Sequence, residues 1–327
     1  MFIRMRFFCV LFLVFLSAVS SALENQGLLI SATNVRIRKA PAVSAEMVET
    51  LAFGTAGAIV GKSSAKESIA GYDDFWYQIR TEKGVQGWVY GGFARTFNDG
   101  DRARATADLI FARLGNEQLK LEDLSQVYDF AAAQVKIASF SADAARIELA
   151  FLQSIEAVLT QLANDEKEPG AKHRGKDENQ SLIYLHECAG RHFVAPESYW
   201  NLVEKYAAFP DAADDIAWAA TSAQQQGETE GDPLAMLARF ENSHARYIEK
   251  FPNGRHVKEA LTAGNETLGY VAESMTADYF GENDQAERAE SIKKLADYTR
   301  LATNTPDSPA KKEYLNSLAR IREKIGQ

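Results

Sequence analysis

The chain has 327 residues, 25% of them charged and 46% hydrophobic, with a formal net charge of −9. That balance is ordinary for a globular protein; it excludes a disordered chain, a collagen-like chain and a disulfide-built miniprotein. The length allows roughly two domains, each with its own core.

The first 22 residues read as an export signal. Arg4 and Arg6 make a basic start, Phe7 to Leu16 is an unbroken apolar run, and Ser20-Ser21-Ala22 fits a small-x-small cleavage site before Leu23. The run is shorter than the roughly 20 residues a spanning helix needs. Cys9 lies inside the run rather than after a small-residue lipobox, which argues against a lipid anchor. No later segment reads as a membrane span, so the mature chain is expected in the periplasm or secreted. Cleavage leaves 34 Lys and Arg against 45 Asp and Glu. So acidic an exported protein is not built to coat nucleic acid. Cys188 alone remains; it cannot form an internal disulfide, so it is either buried and inert or an intermolecular partner, and Leu182, Ile183 and Leu185 before it favour burial.

Residues 27–97 have the pattern of a small all-β barrel. Leu28-Leu29-Ile30 opens it, and Asn34-Val35-Arg36-Ile37-Arg38 alternates apolar and basic residues, as a half-buried strand does. Met47 to Leu51, Ala58 to Val60, Phe75 to Arg80 and Gln86 to Tyr90 are further short strands, the last two joined by a Glu82-Lys83-Gly84 turn. Gly61 to Tyr72 is read as a long surface loop.

Four blocks in this stretch carry a family resemblance: Asn34-Val35-Arg36 with Pro41, Leu51 with Gly54, Trp76-Tyr77-x-Ile79, and Gly87-Trp88-Val89. In order and spacing they resemble the bacterial SH3-like (SH3b) domain, over about seventy residues of the chain. Ile37 departs from the small residue common there, and the Gly61 to Tyr72 insert is longer than usual. The resemblance implies an aromatic groove for a peptide, such as a cell-wall stem peptide. The candidate ligand residues are Tyr72, Trp76, Tyr77, Trp88, Tyr90 and Phe93. Some rings must fill the barrel, Trp76 and Trp88 first among them.

From Asp101 to the end the pattern is helical. Leu124, Val127, Tyr128, Ala131 and Val135 recur at helical spacing, as do Ile147, Phe151, Ile155, Val158 and Leu162, with Ser141 and Asp143 together as a cap for the second series. Residues 164–179 are charged and hold Pro169, Gly170 and Gly175, which reads as an exposed loop. Tyr206 to Asp211, Tyr247 to Asn253 and Leu301 to Asp307 each end one helix, turn on Pro-Asp or Pro-Asn and lead into another. These units loosely resemble tetratricopeptide-like helical hairpins, at longer and uneven spacing. Residues 27–97 hold 8 cations and 6 carboxylates, whereas 98–327 hold 26 against 38.

Little else points to chemistry. Glu187-Cys188-Ala189-Gly190 invites comparison with wall cysteine peptidases, but the downstream His244 and His256 lie in acidic helical segments rather than on strands. Read as a helix, His186, Cys188 and His192 fan apart and converge on no metal. Asp73-Asp74 is an isolated doublet, and Asp214-Asp215 reads as serving a helix dipole. No phosphate loop or dinucleotide fingerprint occurs, and no cofactor is expected. The expectation is an exported, non-enzymatic protein. Its barrel takes a cell-wall peptide or envelope protein segment, and its helical array takes a protein partner. The alternatives are a wall amidase or peptidase using Cys188, and a structural module whose groove is covered by helices.

Overall fold

The structure, a computed structural model, describes residues 26–326 apart from 117, 165–178, 188, 225–228, 230, 276–278 and 281–284. The export signal, most of the charged loop at 164–179, and Cys188 lie outside the described residues. The chain divides into two compact units, at 168/169.

The first unit begins with seven strands: β1 (Gln26–Ile30), β2 (Val35–Arg38), β3 (Met47–Leu51), β4 (Ala56–Ile69), β5 (Tyr72–Thr81), β6 (Gln86–Tyr90) and β7 (Ala94–Asn98). They form one antiparallel sheet in the order β3-β2-β6-β5-β4-β1-β7. Leu28, Ile30, Val35, Ile37, Leu51, Ile59, Ile79 and Val89 fill its interior.

Three helices complete the unit: α1 (Arg102–Leu114), α2 (Leu121–Ile137) and α3 (Ala142–Asn164). The apolar triplet of β1 explains why they pack here. Alternation sends Leu28 and Ile30 into the barrel and Leu29 to the opposite face. There Leu29 and Phe53 join Leu109, Ile110, Val127 and Ala150 in a second core. A strand buried on both faces reads as an unbroken apolar run. The helices thus stand in the same unit as the sheet, although the change of composition near residue 100 reads as a boundary. Asp123 ties the layers together, accepting from the Thr33 hydroxyl at 2.6 Å and pairing with Arg113 at 3.3 Å. Ser141 caps α3 as expected, its Oγ accepting from Ala144 N–H at 3.1 Å.

The segment read as a loop at 61–72 is instead paired strand. β4 and β5 extend beyond the barrel as a hairpin whose Ile69↔Tyr72 pair closes on Ala70-Gly71. Both turn residues have positive φ, 51° and 85°, the pattern of a two-residue type I′ turn. Lys, Ser and Glu dominate this arm, so no apolar alternation marks it as strand; backbone pairing builds it.

Among the described residues the second unit is helical apart from one β-hairpin, β8 (Ile183–His186) with β9 (Arg191–Val194). The helical reading of His186 and His192 is thereby corrected. They lie on two antiparallel strands, with Leu185 opposite His192 and His186 opposite Arg191. Its helices are α4 (Pro196–Lys205), α5 (Pro210–Gln224), α6 (Pro233–Phe240), α7 (Arg246–Lys250), α8 (Val257–Ser274), α9 (Gln285–Thr303) and α10 (Pro309–Gly326). The three proline turns precede α5, α8 and α10 as the sequence implied. Asp232 caps α6, its carboxylate accepting from Leu234 and Ala235 N–H ahead of a first-turn proline. α4 packs with α5, α8 with α10, and α9 with α10. No described helix is long and apolar enough to cross a membrane.

Candidate functional site

In the first unit a groove of about 380 Å³ opens on the outer side of the barrel. Ala32 to Arg36, Arg38 and Val43 form one side, Ile69 of the β4–β5 arm lies on the lining, and Trp76, Tyr90 and Phe93 supply the rings. Every lining residue lies within 32–93, so α1–α3 cover a different face of this unit.

Pairing sets the aromatic floor. Trp76 of β5 lies opposite Tyr90 of β6, and their rings meet edge to face at 5.5 Å. Both are 3% exposed. The Tyr90 hydroxyl accepts from Asp74 N–H at 3.0 Å and donates between the carbonyls of Glu67 and Tyr72. The Trp76 indole N–H donates to the Glu67 carboxylate at 3.0 Å. These contacts fasten the β4–β5 arm to the barrel, so the two buried rings hold the groove's shape as well as forming its floor.

The other sequence candidates have separate positions. Phe93 lines the groove, and Tyr72, 53% exposed, meets Phe93 edge to face at 5.7 Å. Tyr77 points the other way and packs on the barrel core; burial, with the Asp74 charge, raises its hydroxyl pKa. Trp88 is half-buried, opposite Gln78 and Arg38, and is not part of the lining. The sequence candidates missed the whole non-aromatic side of the lining, Ala32 to Arg36, Arg38, Val43 and Ile69. Arg36 and Arg38 were visible as the basic half of an alternating strand. Only the strand order β2-β6-β5 puts them beside the aromatic floor.

The second unit gathers a polar and aromatic cluster instead. His256 stacks on Trp218 at 5.1 Å, and its Nε2 lies 3.4 Å from the Asp215 carboxylate. His244 is 3% exposed, with Trp218 edge-on at 5.9 Å. Burial disfavours the charged ring and lowers its pKa from 6.5 to about 4. Between those values the unfolded chain holds a proton that the native one lacks, so stability rises with pH across the window. Stability of this unit is therefore expected to be full above pH 6.5 and to fall by about 3 kcal/mol on acidification to pH 4. Urea midpoints measured at both pH values test this; His244→Leu should flatten the slope, and an unchanged slope would refute it.

Residues 33–94 match the family described as bacterial SH3 domain. The first unit therefore contains a bacterial SH3 domain. The match starts within the β1–β2 turn and ends as β7 begins, so β1, most of β7 and α1–α3 are additions to the matched segment. All the groove-lining residues except Ala32 fall inside it. No curated protein and no solved structure matches the chain.

Proposed function

We propose that this protein is exported and acts in the cell envelope as a non-enzymatic binding protein, its SH3 groove taking a cell-wall peptide. The observation that carries this reading is the groove itself. It is a ligand-sized concavity with an aromatic floor and a mixed polar and apolar rim, left open by the helices of its own unit. The apolar leader at residues 1–22 supports export. The helical second unit would present a surface to a protein partner, the usual use of stacked helical hairpins.

The test is retention of the mature chain, residues 23–327, on purified peptidoglycan at low salt. Val43→Asp and Ile69→Asp place charge in the lining without touching the rings that fasten the arm. Each is expected to lower retention about tenfold while the circular dichroism spectrum stays that of the wild type. Absence of wild-type retention would sink the reading, as would unchanged retention in both folded variants.

A further inference from the structure

The groove lining contains two cations and no carboxylate, in a chain whose net charge is −9. Arg36 and Arg38 stand two residues apart on β2, with Val35 and Ile37 between and before them buried in the barrel. Alternation therefore places both guanidinium groups on the outer face. Four arginines elsewhere in the unit, Arg95, Arg102, Arg113 and Arg146, each lie within 3.3 Å of a carboxylate, while Arg80 lies outside the groove and has no such pair among the described residues. Among the described residues Arg36 and Arg38 have no such pair. Arg38 is held in place, its Nη1 donating to the Ala45 carbonyl at 2.6 Å. Arg36 is exposed and uncommitted. The site thus combines one fixed and one free planar fork, a geometry suited to a carboxylate.

The floor argues against a sugar as the main contact. Stacking on a pyranose needs an open ring face, and Trp76 and Tyr90 are each only 3% exposed. Apolar surface from Val43, Ile69 and Phe93 suits the carbon skeleton of a peptide instead.

Resting on the groove reading above, which already supplies the wall peptide, we propose that Arg36, with Arg38 beside it, recognises a free carboxylate of that peptide. The neutral glycan is not the element bound. Salt weakens the complex, because an exposed charge contact is screened.

Muramidase-solubilised wall fragments provide the probe, titrated onto the mature chain by calorimetry in three forms: untreated, with carboxyls amidated by carbodiimide and methylamine, and as glycan stripped of peptide whose freed lactyl carboxyls are amidated in the same way. The expected result is binding of the untreated form, about tenfold weaker binding after amidation, and none to bare glycan. Arg36→Gln should bind the untreated form about tenfold more weakly and lose the distinction between untreated and amidated fragments. Arg36→Lys should fall between, keeping the charge and losing the fork. Equal wild-type binding of untreated and amidated fragments would leave the wall reading standing and overturn the carboxylate. Binding of bare glycan as tight as of whole fragments would overturn the peptide. Binding of no fragment would overturn the wall reading and this inference with it.

Discussion

A fragment cut after β7, residues 26–98, is expected to lose cooperative folding, whereas residues 26–164 fold as a unit. The matched SH3 segment alone is a small barrel, and small cores leave little margin. Here the sheet has a second apolar face. Leu29 and Phe53 are 1% and 4% exposed, covered by Leu109, Ile110, Val127, Ala131 and Ala150 of α1–α3. Phe53 also meets Phe130 edge to face at 5.5 Å. The same ring sits against Gly54, whose φ of +76° closes the turn before β4 and where an added Cβ would lie 2.3 Å from it. Removing the helices returns both large side chains to water, at about 2–3 kcal/mol each. The Thr33–Asp123 tie and the Gln126 acceptor for Phe53 N–H go with them. A total of about 5 kcal/mol is as large as the whole stability of many domains. Urea denaturation of the two fragments decides the matter. A sharp transition in 26–98 at the midpoint of 26–164 would show that the helical layer contributes nothing.

The barrel was legible because its strands announce themselves. Val35 and Ile37 alternate with arginine, and Gly84 and Pro41 mark ends of strands. The helical stripes were equally plain: Leu124, Val127 and Tyr128 on α2, and Ile147, Ile155 and Val158 on α3, are all buried. What could not be read is pairing between segments of weak pattern. The β4–β5 arm has polar residues on both faces, so its register comes from the backbone and from Tyr90 and Trp76 at its base. The β8–β9 hairpin has four residues per strand, too few for periodicity to separate strand from helix. The candidate site was half visible for a related reason. A sequence shows that Trp76, Tyr90 and Phe93 are aromatic, but not that Tyr77 turns to the core while Arg36 turns to the groove. Those directions follow from strand order, which sets which outward faces become neighbours.

Asp214 shows the same effect in the second unit, and its removal is expected to cost about 4 kcal/mol. Its place early in α5 suits a role in the helix dipole, but the structure assigns it different work. The carboxylate is 4% exposed. One oxygen accepts from the buried Tyr247 hydroxyl, and the other accepts from Arg255 N–H at 2.7 Å. Tyr247 O in turn accepts from His256 N–H at 3.1 Å. One side chain of α5 therefore holds the turn that ends α7 and starts α8, where Gly254 leaves room beside Tyr247 and Asp214. Asp214→Ala leaves the buried Tyr247 hydroxyl and the part-buried Arg255 N–H without this acceptor, and each orphaned donor costs about 1–3 kcal/mol, the buried one most. Asp214→Asn keeps one carbonyl oxygen and should cost about half as much. Tyr247→Phe removes one of the stranded donors, so the double variant Asp214→Ala with Tyr247→Phe should be less destabilised than the two single losses added together. Strict additivity in that cycle, or a cost below about 1 kcal/mol for Asp214→Ala, would mean that the proline turn holds its shape without the carboxylate.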